Sequence, residues 1–331
     1  MSGNKTLSIY LAVFIVAALA AGTIYRGLNW AYDVRGCKLH REPGTFMAYC
    51  NNEQYADYEH GGFYFGLESE AVANMRKAKV LFLGNSQVQI GFSTDEVNRY
   101  FSERSIPYYV LGFGYAELGD FPTAVIEKFG LKPSVLVIAS DPFFKGGSSS
   151  PASNMVNRDA AAWTLFANRI WSFQDYATKK IFNTLQPTIC DLAPTLCPSN
   201  WRAIYRKASN GFWLWRDLYS SPEGKNLPLD PANRKPLVKE PPTADLDNAR
   251  RLFAVSGVRQ DCIVLTVVPN SWVDAEPYTI EAGRLLGVRV ELPQVEGLST
   301  LDQAHLTWNS AQRWSAEFMR QIDPVIARCA K

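Results

Sequence analysis

Lys79–Gly91 reads Lys-Val-Leu-Phe-Leu-Gly-Asn-Ser-Gln-Val-Gln-Ile-Gly. A short apolar run, Val80–Leu83, stops at Gly84-Asn85-Ser86, the pattern of a buried strand followed by a tight turn. A helix pattern begins near Ser93-Thr94-Asp95-Glu96, where Ser93 and Glu96 fit a capping box. A serine in a strand-to-helix turn stands at the carboxyl edge of a sheet, where its hydroxyl can meet a substrate and nearby N–H groups can hold an anion. Gly-Asn-Ser is also ordinary turn chemistry. Ser86 therefore becomes interesting only if the chain supplies it with a base.

From this strand onward an α/β rhythm runs along the chain. Tyr108–Leu111 and Val135–Ala139 are the next apolar runs, separated by helical patterns near Asp95–Arg104 and Pro122–Phe129. After a break the rhythm resumes with a helix near Ala244–Ser256, strands at Cys262–Val268 and Val288–Leu292, a helix near Thr279–Leu286 and a last helix at about Asn309–Ala327. Apolar strands alternating with helices predict a parallel sheet covered on both faces. The break, residues 143–242, holds five tryptophans (Trp163, Trp171, Trp201, Trp213, Trp215) and a Pro-rich end. It reads as a mainly helical insertion, with helices near Ala160–Phe182 and Trp201–Tyr219 and the tryptophans in its core.

The 331 residues carry a net charge of +2, too balanced for a nucleic-acid partner. Ser8–Tyr25 contains no charge and is long enough to cross a bilayer. It predicts an anchor behind a cytoplasmic tail at 1–7; a cleaved signal peptide is the alternative, since Ala18-Leu19-Ala20 resembles a cleavage site. Either way the bulk of the chain is expected outside the cytoplasm. Residues 26–75 read as a loop-rich lead-in, and 76–331 as the main domain. Six cysteines suggest Cys37–Cys50, Cys190–Cys197 and Cys262–Cys329 bridges, although six allow fifteen pairings. No CxxC spacing occurs, so no metal is expected, and no cofactor either.

Of three histidines, His40 and His60 lie in polar, glycine-containing surroundings and read as surface residues. His305 differs. Asp302 stands three residues before it, a spacing that lets a carboxylate accept the Nδ1–H and leaves Nε2 free to take a proton. The Asp302–His305 loop follows the fifth strand, so it can share the carboxyl edge with Ser86.

At Gly84-Asn85-Ser86-Gln87, Gly114 and Asp302-x-x-His305 the chain resembles the SGNH (GDSL-like) hydrolase superfamily over roughly Val80–Arg320. The resemblance implies a flavodoxin-like three-layer α/β/α fold. It implies Ser86 as nucleophile, His305 as base, Asp302 as its partner, and the N–H groups of Ser86 and Gly114 as the oxyanion hole. Asn85 stands where the family has Asp. Asp141 stands where the family offers an Asn, and a carboxylate there would repel an oxyanion. Asn85, Gln87, Asp141 and Asn270 are the expected flanking residues. The N-terminal span and Pro269-Asn-Ser-Trp272 are similar to a membrane-anchored branch that includes the alginate acetylation proteins and the D-alanyl-teichoic acid transfer protein. That branch implies a multi-span membrane O-acyltransferase as partner, a carbohydrate acceptor, a single-pass inner-membrane protein with a periplasmic domain, and O-acyl transfer. A plain esterase and an inactive SGNH-fold scaffold are the competing readings.

Overall fold

Four of the five strands of the main sheet are short, largely aliphatic and aromatic runs in which every residue is buried, as the two-sided cover of a parallel sheet demands; the fifth, the edge pair Arg289–Val290, is partly exposed. The structure is a computed structural model that describes residues 3–34, 42–50, 56–140, 142–157, 160–197, 203–215 and 226–330.

In chain order, α1 (Gly3–Val34) is followed by β1 (Thr45–Cys50), β2 (Ala56–Asp57), α2 (Glu59–Tyr64) and α3 (Ser69–Lys77). The α/β rhythm is β3 (Val80–Gly84), α4 (Ser86–Phe92), α5 (Asp95–Glu103), β4 (Tyr108–Gly112), α6 (Asp120–Phe129) and β5 (Val135–Ala139). Next come α7 (Ser150–Val156), α8 (Ala162–Leu192), β6 (Ala203–Lys207), β7 (Trp213–Leu214), β8 (Leu227–Pro228) and β9 (Lys235–Pro236). The chain closes with α9 (Thr243–Ser256), β10 (Ile263–Thr266), β11 (Val273–Asp274), α10 (Glu276–Leu286), β12 (Arg289–Val290), β13 (Ser299–Thr300) and α11 (Trp308–Cys329).

The central sheet has five parallel strands in the order β12-β10-β5-β3-β4. Counting only these strands along the chain, the order is 2-1-3-4-5, that of flavodoxin-like doubly wound sheets. The chain reverses its direction of travel across the sheet between β3 and β5, and a crevice opens at such a point. Alternate side chains divide the core. Leu81, Leu83, Leu111, Leu136 and Ile138 pack one face against α3, α6, α9 and α10, whereas Val80, Phe82, Val110 and Val137 face α4, α5 and α11.

Four expectations change. The lead-in is not loop-rich in its described part: β1 pairs antiparallel with β6, joining it to the insertion in a four-stranded sheet β2-β1-β6-β7. The expected helix over 201–219 is, in its described part, the β6–β7 hairpin. Ile204 and Tyr205 favour a strand, and Asn210-Gly211 makes the turn with Gly211 at φ +77°. The capping residue of α5 is Thr94, which accepts the Val97 N–H, rather than Ser93. Ser93 instead bonds Gln89 Oε1 and receives the Trp213 N–H. The tryptophans split: Trp213 and Trp215 are buried, Trp163 and Trp171 are exposed, and Trp201 lies outside the described residues.

The Cys190–Cys197 and Cys262–Cys329 disulfides are formed. Cys37 and His40 lie outside the described residues, so the Cys37–Cys50 pairing does too. Among the described residues one helix, over Leu7–Leu28, is long and apolar enough to span a membrane.

Candidate active site

Ser86 owes its position to two glycines. A Cβ on Gly84 would lie 2.3 Å from Val88 Cγ2, and one on Gly112 would lie 2.7 Å from the Asn85 carbonyl oxygen. With neither present, the chain leaves β3, turns against the end of β4 and enters α4 at Ser86. Asn85 caps α4 by accepting the Gln87 N–H at 2.9 Å. Ser86 is the first residue of α4, so its own N–H has no acceptor within the helix.

The His305 loop is built around one carboxylate. Asp302 Oδ1 accepts the N–H of Ala304 at 3.0 Å and of His305 at 2.8 Å, while Oδ2 lies 2.7 Å from His305 Nδ1. The turn is closed by Leu301 N–H donating to the His305 carbonyl, with Gln303 at φ +70°. Two outside contacts hold the loop. Ser271 N–H donates to the Gln303 carbonyl at 2.7 Å, and Gln87 Nε2 donates to the Ala304 carbonyl at 3.2 Å.

Together these contacts bring His305 Nε2 to 2.8 Å from Ser86 Oγ. Burial disfavours the charge on Asp302, but hydrogen bonds and charge from His305 and the two backbone N–H groups outweigh it. The carboxyl is held below its ordinary range. An ionised Asp302 keeps the proton on Nδ1 and leaves the Nε2 lone pair facing the serine hydroxyl. The site is open: the His305 side chain is 21% exposed and that of Asp302 is 50% exposed. Serine, histidine and aspartate thus stand in one hydrogen-bonded run, within the reach that activation of a hydroxyl would require.

The flanking residues divide. Gln87 ties the two halves of the site together, and Asn85 shapes the turn. Asn270 is buried; its Oδ1 accepts the N–H groups of Trp272 and Val273, and its neighbour Ser271 braces the His305 loop. It is a turn-former behind the site. Asp141 lies outside the described residues. The expectation for Gly114 needs correction: its N–H is committed to Glu59 Oε1 at 3.2 Å in a buried setting and is not offered to an oxyanion beside Ser86.

That Glu59 contact leads to a second polar cluster that sequence reasoning missed. His60 is not a surface residue but fully buried. Its Nδ1 lies 2.7 Å from Asp57 Oδ1 and its Nε2 lies 2.8 Å from Glu117 Oε2. Ser149 donates its hydroxyl to Glu117 and its N–H to the other oxygen of the same carboxylate. Tyr176 donates to Asp57. Burial alone would lower the His60 pKa, but the two carboxylates raise it to about 10. Next to it, Arg206 donates to Glu59 Oε2 at 2.8 Å and to the carbonyls of Val110 and Gly112, covering the open edge of β4. By distance alone Asp57, Glu59 and His60 could hold a metal ion, with ligand atoms within 4.8 Å of one another. The protonation state argues otherwise: an imidazolium with both N–H groups donated to carboxylates has no lone pair for a metal. The signal was available: Asp57-Tyr-Glu-His60 repeats the spacing of Asp302-Gln-Ala-His305.

Compared with family models, with curated proteins and with solved structures, the chain matches none.

Proposed function

We propose that this chain is a membrane-anchored serine acyl-transfer enzyme of the SGNH type. In this reading it passes an acyl group, acetyl in the first instance, through an ester on Ser86 to a hydroxyl of a cell-envelope or secreted polysaccharide. The observation that carries the reading is the run of hydrogen bonds from Ser86 Oγ through His305 to Asp302, at the carboxyl edge of a parallel sheet. The apolar helix over Leu7–Leu28 supports the membrane location. The extracytoplasmic side is read from that helix together with the two disulfides, and a multi-span O-acyltransferase as partner follows from the resemblance to the membrane-anchored SGNH branch.

The chemistry balances in two steps. As Ser86 Oγ attacks the donor's acyl carbonyl, its proton passes to His305 Nε2. The bond to the leaving group breaks, and the leaving group takes that proton. A sugar hydroxyl then gives its proton to Nε2 and attacks the ester; Ser86 leaves and regains the proton. Asp302 stays ionised throughout and steadies the imidazolium. The Ser86 N–H, at the start of α4, is the donor best suited to the developing oxyanion. With Gly114 engaged elsewhere, the hole is sparse, and each missing donor costs on the order of a hundredfold or more.

Plain hydrolysis is favoured by one observation: half the Asp302 side chain is exposed, so water can reach the site unless an acceptor or partner excludes it. The sparse hole motivates the third reading, an inactive scaffold. One experiment separates the three. The full-length protein is incubated with an activated acetyl ester, with and without oligosaccharide, and Ser86 is probed with a fluorophosphonate. Acylated sugar that depends on Ser86 supports transfer. Free acid released at one rate regardless of sugar supports hydrolysis. No acyl turnover together with no labelling of a folded protein would count for the scaffold.

A further inference from the structure

Outside α1, the exposed apolar side chains are densest on the first three turns of α8. Trp163 is 75% exposed, and Phe166, Ile170, Trp171 and Phe173 are between 40% and 53% exposed. Trp163, Phe166, Ile170 and Phe173 recur at three- and four-residue steps, so they form a stripe along one side of the helix. Among Ala162–Gln174 only Arg169 is charged, and its Nε is turned back onto the Met155 carbonyl of α7 at 3.4 Å.

This end of α8 is tied to α1 within the apolar span. Gln174 Nε2 donates to the Leu19 carbonyl at 2.8 Å and to Thr23 Oγ1 at 2.9 Å. Arg26 pairs with Asp175 at 3.5 Å and lies over the Trp171 ring. Gly27 is buried so closely that a Cβ there would lie 2.1 Å from Phe182. Partner numbers rise together on the two helices, so they run in the same direction. The path from Gln174 to Trp163 therefore points the same way as the path from Thr23 into the span, over about 16 Å at 1.5 Å per residue.

Length decides where lipid ends. The span Leu7–Leu28 has 22 residues, about 33 Å, which matches a hydrocarbon core of about 30 Å. Were lipid to stop where α8 makes contact, at Leu19, only roughly 12 residues and ~18 Å would remain, too little to cross. The polarity boundary agrees. Apart from Arg169, whose Nε is turned onto the Met155 carbonyl, charges begin at the same level on both helices, with Arg26 on one and Asp175 on the other, and a tryptophan beside that level suits a membrane interface.

We infer that the first three turns of α8, Ala162–Phe173, are embedded beside α1 in the bilayer leaflet nearer the globular domain, with the Trp163–Phe166–Ile170–Phe173 stripe covered by lipid. This rests on the reading of α1 as a membrane anchor. The domain is then held by two helices rather than hung from one, which fixes its height and tilt above the membrane.

The test uses full-length protein in phosphatidylethanolamine–phosphatidylglycerol liposomes, with a nitroxide on Phe166→Cys. Phe14→Cys, in mid-span, and Lys239→Cys, on an exposed loop, serve as references. Among the described residues no native cysteine is free to take the label. The accessibility ratio of oxygen to a water-soluble nickel chelate at position 166 is expected to resemble that at 14, several-fold above that at 239. A ratio like that at 239, with 14 still lipid-like, overturns the inference and leaves the anchor intact. A label at 166 closed to both reagents means that a second copy of the chain covers the stripe, and overturns it as well. If position 14 itself is open to the chelate, the anchor fails, and the inference falls with it.

Discussion

The molecule contains the same local device twice. In Asp302-x-x-His305 and in Asp57-x-x-His60 a carboxylate sits 2.7 Å from Nδ1 of a histidine three residues later. A serine hydroxyl lies near each Nε2: Ser86 at 2.8 Å in the first, Ser149 at 3.4 Å in the second. What differs is the group that meets Nε2 and the access of water. His305 faces a neutral hydroxyl at a half-open edge. His60 faces a second carboxylate, Glu117, with no exposure at all. Two carboxylates hold His60 as an imidazolium, which has no lone pair and cannot act as a base. One carboxylate and a hydroxyl leave His305 the lone pair that general-base chemistry needs. An Asp–His pair therefore carries no function by itself; the partner of Nε2 decides between a charge buried for structure and, on the proposed function, a base for the serine hydroxyl.

The sharpest way to break this comparison is to remove the hydroxyl. Ser86→Ala is expected to lower turnover of an activated ester by on the order of 10⁴-fold or more, because the members of such a set act as a unit. Ser149→Ala, at the matching place in the buried cluster, is expected to leave the rate per folded molecule unchanged. Steady-state rates on both variants check this. Equal losses would mean that the two clusters are not functionally distinct.

Exchanging the histidines should reverse the pattern for stability. His60→Gln leaves Asp57 and Glu117 buried without a compensating charge, a change expected to cost about 3–5 kcal/mol of folding stability. His305→Gln, at an exposed pair, is expected to cost no more than about 1 kcal/mol while abolishing turnover. Denaturant midpoints in detergent, read beside fluorophosphonate labelling of the folded fraction, measure both. A His60→Gln protein as stable as the parent would show that the buried network is not the structural element described.

The contrast also explains what the sequence could disclose. Four strands of the main sheet were legible because each lies in an uninterrupted apolar run ending in turn residues, as in Val80–Gly84 and Val135–Ala139. Ser86, His305 and Asp302 were legible because doubly wound topology sends the loops after strands to one edge. The β1–β6 pairing was not. Each strand is short, and only a partner far along the chain turns it from a loop into a sheet. His60 escaped because it adjoins Glu59 and Gly61 and its ring is covered by Phe113 and Phe121, on elements that the local pattern says nothing about. Gly114 followed the family pattern in sequence, but Glu59 from the lead-in claimed its N–H.

The two pairs should also respond to pH in opposite directions. The His60 pKa is raised from 6.5 to about 10 on folding, so the folded state holds this proton more tightly than the unfolded chain does. Its contribution is complete below pH 6.5 and fades as pH rises toward about 10. The Asp302 carboxyl is lowered from 3.8, so its smaller contribution is present above that value and is lost on acidification. Parent protein is thus expected to weaken between neutral and strongly alkaline pH, and His60→Gln should lack that slope. A parallel slope in the two proteins would assign the alkaline loss to another group.

The smallest expected effect concerns the strut between the halves of the open site. Gln87 Nε2 donates to the Ala304 carbonyl, one residue before His305, and so spans from the serine turn to the histidine loop. A neutral hydrogen bond of this kind contributes about 1 kcal/mol, so Gln87→Ala is expected to lower kcat by roughly fivefold. The loss should fall on kcat rather than on KM, because what loosens is the approach of Nε2 to the serine hydroxyl and not a contact with substrate. His60 needs no such strut: Asp57, Glu117, Phe113 and Phe121 fix its ring on every side. On the proposed function the site must admit a substrate and cannot be packed in that way, which accounts for a histidine held by a few hydrogen bonds from the loop behind it. A change confined to KM would place Gln87 against the substrate instead and take away its role as a brace.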